Sequence, residues 1–206
     1  MAKLILKKED IDRCWLTSDL HLGHKNIVGP KISNWKTGYR TFDSIDQMDS
    51  TIIDNINKLV GQDDLLFHLG DFSYVAKKQP WAYRNRIVCK NIYHVYGNHD
   101  KIHTLANINN FHCCDYLEVV IDDIFLCMFH YKQAVWNKSH RGAYHFYGHS
   151  HSTAEHMQIG RSIDVGIDNA YRLLGSYEPF KLTWLLDYLD KIPIKAIDHH
   201  DHNTND

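Results

Sequence analysis

The chain has 206 residues, which is typical of one domain with a substantial hydrophobic core. Its 11 glycines and 4 prolines are too few for a collagen-like or low-complexity chain. The 23 basic and 25 acidic residues leave a formal charge of −2, which carries no overall signature of binding to nucleic acid or an anionic membrane. We expect a cytoplasmic protein, because no apolar run approaches the length of a membrane span and the N-terminus lacks a secretory signal.

The first half of the chain alternates between predicted strands and helices. In chain order these are strand 13–18, helix 43–59, strand 64–70, helix 80–87, strand 91–97 and helix 101–109. The helix over 43–59 is predicted from apolar residues at steps of three and four, with Asp43 or Ser44 as its N-cap. Such alternation is typical of a parallel sheet with helices packed against it.

The second half is richer in predicted strands. Residues 116–121 and 124–130 form a predicted hairpin with Asp122 and Asp123 as its two-residue turn, and further strands are predicted at 143–148 and 162–167. A closing helix follows Pro179. The whole pattern predicts an α/β (α+β) fold in which two β-sheets pack on each other. We expect a single domain over 1–192 and a flexible histidine-rich tail over 193–206.

The chemically informative residues follow the predicted strands. Five successive strands end in His, Asp or Asn, and in α/β sheets functional side chains gather beyond the carboxyl ends of the strands. The residues concerned are Asp19, His21, Asp71, Asn98, His130, His149 and His151. Imidazole, carboxylate and amide donors suit Mn, Fe, Zn or Ni better than Ca. Seven donors exceed the need of one ion, so the sequence predicts two divalent ions that share a carboxylate.

These motifs resemble those of the calcineurin-like metallophosphoesterase superfamily, which carries Asp-x-His, Gly-Asp, Gly-Asn-His-Asp, a lone His and Gly-His-x-His in this order. Residues 19–27, together with the later Arg40-x-Phe42, resemble small bacterial and phage-type members. The motifs extend over 19–151 and the predicted topology to about residue 190. The resemblance implies two mixed sheets packed as a sandwich and flanked by helices, in a four-layer arrangement.

The resemblance also implies how the ligands divide between two ions. The first ion would be held by Asp19, His21, Asp71 and His151, and the second by Asp71, Asn98, His130 and His149. Asp71 would bridge the two ions, of which Mn is the first expectation and Fe, Zn and Ni are alternatives. Such a pair clamps a phosphate and lowers the pKa of a bridging water, so that hydroxide attacks phosphorus in line.

Four further residues are assigned roles at this predicted site. His99 is the candidate proton donor to the leaving group, and Asp100 is expected to orient or polarise it. His24 and Arg40 are candidate substrate-binding residues, because an arginine fork suits a phosphate. The spacing Gly-Asp-x-x-Tyr over 70–74 resembles the purple acid phosphatases, but those enzymes lack the His of Asp-x-His. We therefore interpret Tyr74 as a packing or rim residue.

The leading hypothesis is a metal-dependent hydrolase, a phosphodiesterase or phosphatase, acting on phosphodiesters or small phosphorylated molecules, nucleotides included. A nuclease of the DNA-repair type is the alternative within enzymes, although the sequence has no basic run. A non-catalytic metal-binding scaffold on the same fold is a second class, and a metal store or sensor is a third. The sequence leaves the oligomeric state open.

Overall fold

A computed structural model describes residues 1–29, 40–74 and 79–194. The β-strands in these ranges are β1 (Ala2–Leu6), β2 (Cys14–Thr17), β3 (Leu65–His68), β4 (Asn91–Val95), β5 (Phe111–Cys114), β6 (Leu117–Ile121), β7 (Ile124–Met128), β8 (Tyr144–Tyr147), β9 (Ser162–Asp164) and β10 (Phe180–Lys181). The α-helices are α1 (Ile45–Leu59), α2 (Pro80–Arg84), α3 (Ile102–Leu105), α4 (Ile167–Leu174) and α5 (Leu182–Leu189). Short 3-10 helices lie at Lys8–Arg13, Lys25–Ile27 and Ser139–Arg141.

The strands form two mixed five-stranded sheets. One has the order β10-β2-β3-β4-β5, in which β2 to β5 run parallel and β10 is antiparallel at the edge. The other has the order β1-β6-β7-β8-β9, in which only the β6–β7 pair is antiparallel. Parallel neighbours end at the same edge of a sheet, so the loops after β2, β3 and β4 are adjacent, as are those after β7, β8 and β9.

The main core contains residues of both sheets. Phe67 of β3 and Phe146 of β8 are both fully buried in it, and the leucines of α5 extend the same cluster. A second core lies where α1 meets the other face of the first sheet, with Ile52 and Ile56 of α1 among its members. The sandwich of two mixed sheets flanked by helices, predicted from the sequence, is therefore confirmed.

Most predicted elements are present at nearly their predicted bounds. Helix α1 begins after Ser44, whose hydroxyl accepts a hydrogen bond from the Gln47 N–H at 3.0 Å. The hairpin of β6 and β7 pairs Ile121 with Ile124 across the predicted two-residue turn. All five cysteines are free thiols, as expected from their odd number and spacing.

Several elements differ from the prediction. Strand β9 ends at Asp164 instead of continuing to 167, because the Asp164 carboxylate accepts a hydrogen bond from the Gly166 N–H and turns the chain into α4. Helices α2 and α3 end before the predicted residues 87 and 109, and β1, β5, β10 and α4 were absent from the prediction. Residues 195–206 of the predicted tail lie outside the described residues. Within the described ranges, no helix is both long enough and apolar enough to cross a membrane.

The two-sheet core predicts a contrast between two apolar truncations. Leu126 is buried between the sheets, whereas Ile5 on β1 is 73% exposed. We expect Leu126→Ala to lower the free energy of unfolding by about 2–5 kcal/mol through the cavity it leaves. Ile5→Ala should change it by no more than about 0.5 kcal/mol. Chemical denaturation measures both, and equal effects would contradict the placement of Leu126.

Candidate metal centre

All seven predicted ligands lie at the carboxyl ends of strands, where the two sheets meet. They are Asp19 and His21 after β2, Asp71 after β3, Asn98 after β4, His130 after β7, and His149 and His151 after β8. Contacts across the interface between the sheets bring them together: the His149 N–H donates to Asp19 Oδ2 at 2.9 Å. The fold therefore gathers the donors that the sequence distributes over more than 130 residues.

Asp71 lies at the middle of the group. Its Oδ2 atom is 3.5 Å from His21 Nε2 and 3.6 Å from His130 Nε2. Its Oδ1 atom accepts a hydrogen bond from the His99 N–H at 2.8 Å, which fixes the orientation of the carboxylate. A carboxylate oxygen in this position faces donors on both sides, as a bridging ligand requires.

The first group of donors lies on one side of Asp71 and contains Asp19, His21 and His151. Asp19 Oδ1 is 3.9 Å from His21 Nε2 and 3.9 Å from His151 Nε2. Burial raises the pKa of Asp19 to about 8. Burial, followed by the charge of Arg40, lowers the pKa of His21 well below its ordinary value, so His21 is a neutral imidazole.

The second group contains Asn98, His130 and His149, and the side chains of Asp19, Asp71 and His130 also lie close enough together to hold one ion. Asn98 Oδ1 is 3.1 Å from His130 Nε2 and 2.9 Å from His149 Nδ1. The backbone carbonyl of Leu69 lies 2.7 Å from His130 Nδ1 and accepts the N–H of that nitrogen. His130 Nε2 faces two oxygen atoms, Asn98 Oδ1 and Asp71 Oδ2, an arrangement that a cation stabilises.

The unpaired buried atoms test whether a metal fits here. Within the described part of the chain, Asp19 Oδ1 and both ring nitrogens of His21 are buried without a hydrogen-bond partner. Buried polar atoms without a partner are costly, and most native ones are satisfied. Two donors that each lie about 2.0–2.2 Å from one ion are at most about 4.4 Å apart. The separations of 3.5–3.9 Å satisfy this limit, so the residues fit divalent metal ions.

Left-handed backbone is concentrated at the ligands. Five of the seven have positive φ angles, and they are Asp19, His21, Asp71, His149 and His151. For a residue with a side chain this conformation costs on the order of 1 kcal/mol, and it persists where surrounding bonds enforce it. Such bonds link the loops to each other: the Asp19 N–H donates to Gly70 O, and the His21 N–H donates to Asp71 O.

Two motif glycines allow the loops to approach each other closely. A Cβ atom on Gly97 would overlap the Asp71 backbone and carboxylate, and one on Gly148 would overlap Ser18 and the Asp19 carboxylate. Both positions therefore exclude a side chain. The glycines of the Gly-Asn-His-Asp and Gly-His-x-His motifs are explained by this packing against the ligands.

The structure changes the role expected for Asp100. Its carboxylate accepts hydrogen bonds from the N–H groups of Asp71, Phe72 and Gly97, and it contacts His94 Nε2 at 2.9 Å. Burial by itself raises the pKa of Asp100, but His94 and these N–H groups outweigh it and hold the pKa below its usual range. Asp100 therefore ties together the loops after β3 and β4. The expectation that it orients the His99 ring is replaced by this positioning role.

Arg40 also has a different role from the one expected. Its side chain is fully buried, and its guanidinium group makes two hydrogen bonds of 2.8 Å to the Asp168 carboxylate. It also donates to the backbone carbonyls of Asp19 and Leu20. A guanidinium group enclosed in this way cannot contact a substrate, so the substrate-binding assignment of Arg40 is corrected. The arginine instead connects the loop after β2 to α4.

Asp168 completes a chain of contacts that ends at a ligand. Its Oδ2 atom is 2.6 Å from His151 Nδ1. Burial alone raises the pKa of Asp168, but Arg40 and His151 outweigh it and lower the pKa below its usual range. A carboxylate that accepts one ring N–H of a histidine directs the other nitrogen of that ring, here Nε2, towards a metal.

Sequence analysis missed Asp168 and Asp164. Asp164 is fully buried and accepts hydrogen bonds from the Ser150 hydroxyl at 2.7 Å and the Ser152 N–H at 2.9 Å. Both aspartates hold the Gly-His-x-His loop. Asp168 directly follows the predicted strand over 162–167, so the rule that found the ligands, applied to one more strand, would have found it, whereas Asp164 lies inside that predicted strand.

Three aromatic side chains border the first group of donors. The His24 ring stacks on Tyr74 with centroids 4.2 Å apart, and the His99 ring centroid is 5.4 Å from that of His21. His24 is 5% exposed, and burial together with the nearby His99 lowers its pKa to about 4. Tyr74 is 41% exposed, which agrees with a rim residue. The substrate role of His24 stays a prediction.

The fold and site together define an α/β protein of two packed sheets with a histidine and carboxylate metal centre at the strand ends. Residues 15–165 match the model of the calcineurin-like phosphoesterase superfamily domain. The chain belongs to this superfamily. The resemblance predicted from the motifs is thereby confirmed.

Known relatives are similar over parts of the chain. An uncharacterized protein of Methanocaldococcus jannaschii is 33% identical over 91 residues, which are 43% of this chain and 47% of that protein. The Gene 66 protein of Mycobacterium phage L5 is 36% identical over 64 residues, 31% of this chain and 27% of that protein. The chain therefore spans about half the length of the first relative and about a quarter of the second.

One solved structure has the same fold. A protein of unknown function from Aquifex aeolicus superimposes with a TM-score of 0.63 at 19% identity, over 85% of this chain and 98% of that one. YfcE, a phosphoesterase from E. coli, gives a TM-score of 0.45 at 16% identity, over 74% of this chain and 77% of that one.

The contacts of Asp168 generate a prediction for metal affinity. Asp168→Asn keeps the size of the side chain but removes the charge that Arg40 and His151 share, so we expect metal affinity to fall about 10–100-fold. Asp187→Asn, an equal change of charge at an exposed position on α5, is the matched control. Calorimetric titration of the metal-free proteins with Mn²⁺ measures both. Wild-type affinity in Asp168→Asn would show that the aspartate does not support His151.

Proposed function

We propose that this protein is a dinuclear, metal-dependent phosphoesterase that hydrolyses phosphodiesters or small phosphorylated molecules, nucleotides among them. The position of Asp71 carries the proposal. Its Oδ2 atom is 3.5 Å from His21 Nε2 and 3.6 Å from His130 Nε2, each at about the distance expected of two ligands that share an ion. Superfamily membership adds the reaction class, since the matched domain is that of phosphoesterases.

The residues divide between holding metal and handling the substrate. Asp19, His21, Asp71 and His151 would hold the first ion, and Asp71, Asn98, His130 and His149 the second. The donors are nitrogen and oxygen only, a set that Mn, Fe, Zn and Ni all accept. Mn²⁺ is our first choice among them. When bound, such ions supply Lewis-acid charge to phosphate oxygens and lower the pKa of water.

The remaining chemistry belongs to the chain's own residues. Hydrolysis forms a bond between phosphorus and a water oxygen and breaks the bond to the leaving oxygen, which takes up a proton. His99 would give that proton from a ring N–H. Two observations support this role: its side chain is exposed beside His21, and its backbone N–H donates to Asp71 Oδ1. Burial of Asp19, His21 and Asp71 keeps water away from the inner donors.

Removal of the bridging carboxylate tests the dinuclear site. We expect Asp71→Ala to lose both stoichiometric metal binding and hydrolysis of bis-p-nitrophenyl phosphate, because each group of donors then lacks the shared ligand. Asp54→Ala, at an exposed position on α1, serves as the control for a lost carboxylate. Metal content by elemental analysis is measured beside turnover. Two metals retained per chain in Asp71→Ala would refute the bridging assignment.

His99 gives a separate prediction, which distinguishes an enzyme from a metal-binding scaffold. We expect His99→Ala to lower kcat about 10²–10⁴-fold for an ester with an alkoxide leaving group while metal content stays at the wild-type level. The loss should be smaller for p-nitrophenolate, which leaves without a proton. The exposed His103 provides the matched His→Ala control. Loss of metal in His99→Ala would instead identify His99 as a ligand.

A further inference from the structure

The metal centre is open on one side. Asp19, His21, Asp71 and His130 are buried, whereas Asn98, His99 and His149 are exposed. A phosphate ester can therefore reach the donors over these three residues. His99 lies towards the first group of donors, and Asn98 and His149 belong to the second. The organic groups of the ester must extend from this open side.

A cavity of about 340 Å³ adjoins the open side at His149. Its lining includes Tyr131, Ala154, Met157 and Ile159, and it continues along the backbone from Gly148 to Ser150. The volume lies within the range of about 300–1,000 Å³ that small-molecule pockets have. The lining is chiefly apolar, so the cavity suits an uncharged organic group.

Tyr131 connects this cavity to the metal centre. It directly follows the ligand His130, and its ring centroid lies 4.9 Å from that of His130 and 4.6 Å from that of His149. The ring is 39% exposed, and Met157 across the cavity is 53% exposed. A tyrosine ring and a thioether are both favourable partners of a flat aromatic group.

Lys132 contributes to the wall of the cavity, but its ammonium group is bound by the protein. Its Nζ atom donates to the Ala154 carbonyl at 2.9 Å and lies 5.1 Å from the centre of the Tyr147 ring. The ammonium group is thus directed to the protein, and the cavity wall facing a ligand stays mainly apolar.

A second cavity, of about 310 Å³, lies beside His151 and offers less to a substrate. Its aromatic residues, Tyr171 and Tyr177, stack on each other with centroids 4.4 Å apart and an interplanar angle of 13°. The His151 side chain is only 21% exposed, and its Nδ1 atom is bound to Asp168. This side of the centre is therefore the more enclosed one.

We propose that the cavity between Tyr131 and Met157 binds the retained organic group of a phosphodiester, an aryl or nucleobase group, while the leaving group faces His99. The proposal rests on the proposed phosphoesterase function and narrows its substrate class. A monoester has one organic group, which must lie where His99 can protonate it. A diester has a second group, and the cavity at His149 lies on the other side of Asp71, where that group would extend.

The test varies the retained group and keeps the leaving group constant. Methyl p-nitrophenyl phosphate and phenyl p-nitrophenyl phosphate release the same p-nitrophenolate. We expect the metal-loaded wild type to prefer the phenyl ester about tenfold in kcat/KM, as burial of an aromatic ring implies. Ala154→Trp, which fills the cavity, and Met157→Ala, which removes part of its wall, should both bring the ratio towards one.

Two further measurements keep the test decisive. Tyr171→Ala, in the cavity beside His151, should retain the wild-type ratio, and circular dichroism shows that each variant is folded. Calorimetric binding of phenylphosphonate and methylphosphonate, which are not hydrolysed, should show the same preference of about tenfold.

The outcomes separate the two proposals. Equal kcat/KM for the two esters in the wild type, or an unchanged ratio in both Ala154→Trp and Met157→Ala, would overturn the cavity assignment and leave the phosphoesterase in place. A ratio that falls only in Tyr171→Ala would overturn it in favour of the other cavity. No turnover of either ester with any divalent metal would overturn the phosphoesterase function and, with it, this proposal.

Discussion

Hydrogen bonds from backbone N–H groups to buried carboxylates hold the loops of the metal centre. Asp100 accepts three such bonds from the loops after β3 and β4, and Asp164 accepts those of Ser152 and Gly166. A buried carboxylate is stable only where donors surround it, and the N–H groups of a sharp turn provide those donors. The carboxylates therefore receive the hydrogen bonds that their burial requires, and the turns receive acceptors for their N–H groups. The left-handed conformations of the ligands depend on these hydrogen bonds.

The ligands also differ in exposure, since some are buried between the sheets and others face the open side of the site. The inner donors belong to the buried face between the sheets, where a neutral His21 and an Asp19 of raised pKa face each other without a hydrogen bond. The outer donors, Asn98 and His149, are exposed and contact each other directly. A site built in this way combines rigid inner ligands with an accessible side for a substrate.

The sequence was sufficient for the two-sheet fold and for the gathering of the seven donors, because strand ends are readable from short apolar runs followed by polar motifs. It was insufficient where a role depends on the direction of a side chain. The sequence suggested that Arg40 binds a substrate phosphate. In the structure its side chain instead points inwards to Asp168, which is 128 positions away in the sequence. Asp100 stands next to His99 in sequence but is directed towards other backbone groups.

The bond from the His149 N–H to Asp19 Oδ2 joins residues 130 positions apart, and it has a consequence for how the protein folds. Closing a loop of that length costs conformational entropy before the contacts between its ends can form. The parallel strand pairs also join residues that are far apart in the sequence. No short fragment of the chain holds both groups of donors. We therefore expect a complete metal centre to form only after both sheets have assembled, so that the rate of metal uptake during refolding would report that assembly.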